Sequence, residues 1–208
     1  MNAIELEIGL YDWSVFPCCS CRSADHVPGE LLRMARSQTL DEAKPRDIEF
    51  HVLQENWATP TVVPVARVLM AGLANRNISS AARNQFLDLL WSFVIVDDDL
   101  AEACKDAVRA GIWSLYEEVL SGASKGSALL AYWLVKEAET VPARVERLLQ
   151  MARHMLPEDP YEDDQPRTDR RLSGQDSRRE REVLPASRAR KPSDLLRRFD
   201  DHTWSRNA

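Results

Sequence analysis

The sequence predicts an all-α protein, in which about four helix pairs stack into an α-solenoid followed by a disordered tail. The good helix formers Ala, Leu, Arg and Glu are abundant in the 208 residues. There are only seven glycines and few runs in which apolar and polar residues alternate, so little of the chain suits β-hairpins. A recurring Val-Pro dipeptide then divides the helical sequence into units of similar length.

The Val-Pro dipeptides predict where helices begin. They occur at Val27-Pro28, Val63-Pro64 and Val141-Pro142, and an amphipathic run follows each one. Proline suits the first helical turn because its missing N–H would have no partner there. The first two dipeptides are 36 residues apart and the third lies 78 further on, which leaves room for one more helix. Residues 106–120 fill this gap, and we expect Trp113 within that helix to lie in the core.

A second set of helices alternates with the first. The strongest member runs from Ser79 or Ser80, as the N-cap, to Val94, with apolar residues at helical spacing. Two further members are residues 47–55 and 127–138. Helix pairs that repeat every ~40 residues are typical of HEAT and armadillo solenoids, in which each pair needs its neighbours to bury its apolar stripe. The sequence therefore predicts a HEAT-like α-helical repeat domain over residues 1–156.

Several segments share the pattern of one protein family. They are Tyr11-Asp12-Trp13-Ser14, His26-Val27-Pro28 with Leu31-Leu32, and residues 63–69, 86–90 and 104–120. Through them, residues 8–153 resemble a family of bacterial HEAT-repeat proteins, in which the first segment opens the first helix. Where that family tends to carry a His-Gln-Gly type motif, this chain has Glu55-Asn56-Trp57. Some members are thought to act as immunity proteins against secreted toxins, so the resemblance implies a binding scaffold.

The composition changes at about Pro157. Residues 157–208 are rich in charged residues, Ser and Pro, and have too little apolar surface to offset the entropy cost of ordering. We expect a disordered tail there, in which charges of both signs are nearly balanced. One island at residues 192–199 suits a short docking helix, but a fraying turn is the stronger expectation.

Charge bears on the kind of partner. The net charge of −6 disfavours nucleic acid, because phosphate contacts need a surplus of Lys and Arg. An acidic surface suits another protein, such as a basic toxin domain. The alternative is a HEAT-like DNA-repair glycosylase, which would need a basic concave channel. We expect a cytoplasmic protein, since the sequence has neither a signal-peptide pattern nor the ~20 apolar residues of a membrane span. We also expect no cofactor.

Cysteines and one histidine form the single cluster that suggests a metal. Cys18 and Cys21 have Cys-x-x-Cys spacing, and His26 follows closely. A tetrahedral site needs a fourth ligand, which neither His51 nor Cys104 supplies by its spacing. We therefore expect no metal site, and cysteines that pack as small apolar residues near the first helix and its exit.

Three adjacent carboxylates, Asp97, Asp98 and Asp99, invite a metal or acid–base interpretation. They follow one predicted helix and precede another, so capping is the stronger expectation and partner binding the next. No Gly-rich phosphate loop is present, and no Ser or Cys has a base nearby in the sequence. We expect no catalytic residue and no enzyme activity.

The sequence thus predicts a non-catalytic protein-binding scaffold, and more specifically a candidate immunity protein that neutralises a cognate bacterial toxin. The contact residues would be polar ones on the Val-Pro helices and in adjoining loops, where Trp57 is an exposed aromatic candidate. The candidates are Glu30, Arg33, Trp57, Arg67, Asp97, Asp98, Asp99, Glu117, Glu118, Arg144 and Arg147.

Overall fold

The structure, a computed structural model, describes residues 2–44, 48–54, 57–96, 99–121 and 123–157. Within these ranges the chain is helical apart from one pair of two-residue strands, which confirms the all-α class. The predicted disordered tail lies outside the described residues from position 158 onward, and so does its island at 192–199.

The elements follow one another with short connections. In chain order, the helices are α1 (Ala3–Ile8), a 3₁₀ turn (Trp13–Val15), α2 (Val27–Arg36), α3 (Leu40–Ala43), α4 (Ile48–Val52), α5 (Val62–Leu73), α6 (Ser80–Val94), α7 (Leu100–Ala110), α8 (Ile112–Ser121), α9 (Lys125–Ala138) and α10 (Pro142–Ala152). Two strands, β1 (Leu53–Gln54) and β2 (Trp57–Ala58), pair antiparallel between α4 and α5.

Most predicted helix starts are confirmed. Helices α2 and α10 begin at Val27 and Pro142, and α5 begins one residue before its Val-Pro dipeptide. Ser79 caps α6, since its side chain accepts a hydrogen bond of 3.0 Å from the backbone N–H of Ala82. Ser124 caps α9 in the same way. Local chemistry at the first turn is enough to locate these starts.

The predicted single helix over residues 106–120 is wrong. The chain forms two helices, α7 and α8, which break at Gly111. Glycine is unfavourable in a helix interior, and a Cβ at Gly111 would lie 2.8 Å from Cε of Met70 on α5, which is the flexible end of that side chain. Helix α8 directs Ile112 and Leu115 toward the core. Trp113 is therefore 67% exposed and not buried as predicted.

Two other boundaries also differ. Of the helix predicted over residues 47–55, the described part is residues 48–54, where α4 ends at Val52 and Leu53–Gln54 form β1. The segment predicted to open the first helix is only a three-residue 3₁₀ turn, capped by Asp12. The first helix is α1, where Asn2 and Glu5 form a reciprocal capping box.

The core forms where α5 and α6 meet. Leu69 on α5 and Phe86, Leu90 and Phe93 on α6 are fully buried. Helix α5 also packs against α1 and α7, while α9 packs against α6, α7 and α8. Helix α10 packs against α8 and buries little of its own surface, which leaves room for a groove beside it. Among the described helices, none combines the length and the hydropathy that crossing a bilayer requires.

Candidate functional site

A cleft of about 1090 Å³ runs between α8 and α10. The end of α5, the first turns of α6 and the start of α9 complete its lining. Its apolar lining residues are Leu73, Trp113, Leu120, Ala123, Ala143, Leu148 and Met151. A concave, mainly apolar surface with a few charged groups is the usual character of a binding site. We call this cleft the α8–α10 groove.

Trp113 is the most exposed aromatic side chain of the groove. Its ring lies 5.2 Å from that of Tyr116, centroid to centroid, and the guanidinium carbon of Arg144 lies 5.8 Å from its centroid. The second contact is a cation–π interaction between α10 and α8. These neighbours hold the indole in one orientation although most of its surface is accessible, and such pre-ordered aromatics often dominate protein interfaces.

A hydrogen-bond network fixes Arg144 above the indole. The hydroxyl of Tyr116 donates to Glu139 over 2.7 Å, and burial together with this bond raises the pKa of Tyr116 to about 12. Glu139 also accepts from the backbone N–H of Val141 and from Arg144. Burial opposes ionisation of Glu139, but the three hydrogen bonds outweigh it and lower the pKa of this carboxyl.

Glu118 lies beneath the groove surface. Its carboxylate is 3.2 Å from the guanidinium group of Arg83, which also donates to the carbonyl oxygens of Leu73 and Asn75. Burial raises the pKa of Glu118, and the interaction with Arg83 offsets this effect only in part. Glu118 therefore joins α8 to Arg83 on α6, and it is largely buried although it belongs to the groove lining.

The charges of the groove differ in sign from the charge of the whole chain. Four arginines but only two glutamates line it. Arg76 forms an ion pair with Glu117 in which both side chains are largely exposed, so the pair adds little stability and can open for a ligand. Arg147 donates to Gln150 over 3.4 Å. The accessible groove is thus locally positive, although the chain carries a net charge of −6.

The structure brings part of the predicted contact set together. Glu117, Arg144 and Arg147 line the groove with the buried Glu118. Arg67 lies elsewhere on α5 and donates to the hydroxyl of Tyr11 over 3.4 Å.

The other candidates have different positions. Glu30 and Arg33 pair with each other on α2 at 2.8 Å. Asp99 occupies the N-cap position of α7, and its side chain makes no capping hydrogen bond. Asp97, Asp98 and the side chain of Trp57 lie outside the described residues, although the backbone of Trp57 forms β2.

Sequence reasoning missed Trp113 as a surface residue. The available signal was its place in the helical pattern, because Ile112, Leu115 and Val119 form the apolar stripe of α8 and Trp113 stands about 100° away from Ile112.

A second cluster lies near the N-terminal helices. Cys18, Cys21, His26 and His51 each place a ligand atom within 4.8 Å of the others. The spacing along the sequence offers no fourth ligand, but α4 brings Nδ1 of His51 to 3.0 Å from Sγ of Cys18. The cysteines also lie in a loop, where Cys21 is exposed, and not in a helix.

Comparison with known proteins gives no match for this chain, whether against models of protein families, curated proteins or solved structures. The resemblance to HEAT-repeat proteins therefore stays a prediction.

Proposed function

We propose that this protein is a non-catalytic binding module that recognises a segment of another protein in the α8–α10 groove. The observation that carries the proposal is the exposed Trp113, held between Tyr116 and Arg144 beside an apolar lining. Most of the surface of this indole is exposed to water and contributes nothing to packing within the free protein. Ordered by its neighbours, it offers a partner much apolar area at little entropy cost.

The groove chemistry indicates the kind of segment. Leu73, Leu148 and Met151 suit apolar side chains, while Arg76, Arg144 and Arg147 suit carboxylates. An amphipathic helix with apolar residues on one face and Asp or Glu beside them satisfies both requirements. The net charge of the chain predicted a basic partner, but the local charge of the groove favours an acidic segment.

We include a HEAT-like solenoid in the proposal, as the scaffold of the binding surface. Helix α6 packs against both α5 and α9, and α8 packs against both α9 and α10. A stack of helix pairs requires such packing of each helix against its neighbours.

The arginines of the groove also attract phosphate, so a nucleic acid is the competing partner. Arg76, Arg83 and Arg144 each form an ion pair with a glutamate, which reduces the positive potential that a phosphate backbone would require. A protein segment with a few carboxylates needs less positive charge. A duplex DNA that shifts in a gel at low salt, and not after Arg147→Glu, would favour the nucleic-acid alternative.

Toxin neutralisation is the specific version of the proposal. The family resemblance implied a toxin as the partner, and the groove would then hold an acidic, apolar segment of that toxin. Co-expression with the product of a neighbouring toxin gene should protect cells, and the Trp113→Ala variant should not. Continued killing in the presence of the wild-type chain would contradict this version but not the binding module itself.

Selection from a random peptide library displayed on phage tests the general proposal. Peptides retained by the wild-type chain should combine apolar residues at helical spacing with Asp or Glu, and should lose binding to Trp113→Ala. Phe50→Ala is the matched control, because Phe50 is also a largely exposed aromatic but lies on α4, away from the groove. Peptides that bind Trp113→Ala as well as the wild type would overturn the proposal.

A further inference from the structure

The cluster of Cys18, Cys21, His26 and His51 is separate from the groove. The two cysteines lie in the loop between the 3₁₀ turn and α2, and His26 is the last residue before α2. His51 lies on α4, 25 residues further along the chain. The groove lining includes none of these four residues. They are brought together only by the way the loop folds against α4.

The distances within the cluster suit one small ion. All four ligand atoms lie within 4.8 Å of one another, and Nδ1 of His51 is 3.0 Å from Sγ of Cys18 and 3.7 Å from Sγ of Cys21. In a tetrahedral zinc site, with Zn–S near 2.3 Å and Zn–N near 2.0–2.1 Å, ligand atoms are about 3.3–3.8 Å apart. Side-chain shifts of about 1 Å convert the observed arrangement into that geometry.

One histidine nitrogen gives an independent indication of a ligand. Nε2 of His26 is buried and has no hydrogen-bond partner within the described part of the chain. A buried polar atom without a partner is costly, and folded proteins rarely keep one without a reason. The ring of His26 lies 4.1 Å from that of His51, centroid to centroid. A metal ion bound between the cysteines and the histidines would give this nitrogen its missing partner.

Backbone hydrogen bonds orient the ligands. The N–H of Cys21 donates to Sγ of Cys18 over 3.2 Å, which fixes the position of that sulfur relative to Cys21. The N–H of Cys19 donates to the carbonyl oxygen of His51 over 2.9 Å, and the hydroxyl of Ser20 donates to that of Phe50. These hydrogen bonds already hold the loop and α4 together around the cluster. The supporting contacts of metal sites usually orient the ligands in this way.

We propose that Cys18, Cys21, His26 and His51 bind one Zn²⁺ ion as a structural site. Two thiolates and two imidazoles are a preferred ligand set of tetrahedral zinc, and four protein ligands leave no open position for a substrate. Binding releases the two thiol protons and gives a centre with no net charge. The ion joins the loop to α4, a helix of only five residues.

The zinc site stabilises the N-terminal part of the fold. The hydroxyl of Thr61, which precedes α5, donates to the carbonyl oxygen of Pro17 at the start of the same loop. The loop thus links α4 to the beginning of α5, which packs in the core. Removal of the ion should lower the melting temperature, because a ligand bound only by the folded state stabilises it.

Metal analysis of the full chain, expressed without a histidine tag and dialysed, tests the proposal. We expect about one equivalent of zinc in the wild type. The Cys18→Ser and His51→Ala variants should each retain at least about tenfold less zinc than the wild type. Cys19→Ser is the matched control, because Cys19 neighbours the site but is not one of the four ligands. Less than about a tenth of an equivalent in the wild type, or full zinc content in Cys18→Ser, would overturn the proposal.

Cobalt substitution covers the case in which a variant fails to fold. The wild-type chain, stripped of metal and titrated with Co²⁺, should develop the visible absorption of a tetrahedral site with thiolate ligands. Zn²⁺ should then displace it. An octahedral spectrum, or a Cys18–Cys21 disulfide in the freshly purified chain without metal, would contradict the proposal. These outcomes do not depend on whether the groove binds a partner.

Discussion

Arg83 on α6 lies 3.2 Å from the carboxylate of Glu118 on α8, and the same guanidinium group donates to the carbonyl oxygens of Leu73 and Asn75. One side chain therefore joins α6, the end of α5 and α8 beneath the groove. Both partners are mostly buried, with 16% and 9% of their side-chain surfaces exposed. Replacing Arg83 and replacing Glu118 should lower the free energy of unfolding by different amounts.

Replacement of the arginine should be strongly destabilising. Arg83→Met removes three hydrogen bonds and leaves the buried Glu118 without its cation. Breaking a buried ion pair from one side costs about 3–5 kcal/mol, and we expect a loss of unfolding free energy in this range. Urea denaturation followed by circular dichroism measures it. A loss below about 1 kcal/mol would show that the three contacts are not maintained in solution.

Replacement of the glutamate should cost much less. Burial raises the pKa of Glu118 above 4.5 despite Arg83, so ionisation of this carboxyl is less favourable in the folded than in the unfolded chain, and Gln keeps the size and polarity of the side chain. Above pH 4.5 the folded state then binds more protons than the unfolded state, and the stability from this group falls as pH rises through the raised pKa. Melting temperatures measured from pH 4.5 to neutrality should therefore decline more in the wild type than in Glu118→Gln. An equal decline would contradict the raised pKa.

The hydroxyl of Tyr116 should contribute more at neutral than at acidic pH. It donates to Glu139, whose pKa is lowered below 4.5 in the folded state. A lowered carboxyl pKa gives stability above pH 4.5 that is lost as pH falls through the folded-state value. Tyr116→Phe should cost about 1.5–3 kcal/mol at neutral pH and less in acid. Denaturation of the wild type and Tyr116→Phe at neutral and at acidic pH tests this. A loss of unfolding free energy that is the same at both would exclude the hydrogen bond to a charged Glu139.

Two helical glycines should respond in opposite directions to alanine. A Cβ at Gly72 would lie 2.3 Å from Cε2 of the buried Phe86, so Gly72→Ala overpacks the core and should cost at least about 1–3 kcal/mol. A Cβ at Gly29 on α2 would meet no atom within 4 Å, so Gly29→Ala should gain about 0.5–1 kcal/mol. Thermal denaturation of the two variants in parallel makes the comparison. Equal effects would contradict the close packing of α5 on α6.

The sequence was sufficient for features that depend on a few neighbouring residues. Proline in a first turn and serine at an N-cap located α2, α5, α6 and α10 closely, because these signals act within one helical turn. The break at Gly111 could not be predicted in the same way. A glycine within an otherwise helical pattern is compatible with one continuous helix, and the exposure of Trp113 follows only once α7 and α8 are placed as separate helices.

The two sites differ in how much the sequence revealed. Glu117, Arg144 and Arg147 were candidates because polar residues on repeat helices commonly bind partners, and all three line the groove. The cysteine–histidine cluster was rejected because His51 is far from Cys18 along the chain. Ligand spacing predicts a site only when the ligands come from one local motif, and here a tertiary contact between a loop and α4 completes the set.

The central claim is that the α8–α10 groove binds an acidic amphipathic segment. The most direct measurement is the dissociation constant, by isothermal titration calorimetry, of a peptide enriched by the wild-type chain. Trp113→Ala and Arg147→Glu should each weaken binding at least about tenfold, because hot-spot side chains contribute more than ~1.4 kcal/mol. Their melting temperatures should change little, since both side chains are exposed. Phe50→Ala and Arg36→Glu, which alter exposed residues outside the groove, should leave the constant unchanged. Equal binding by all four variants would contradict the claim.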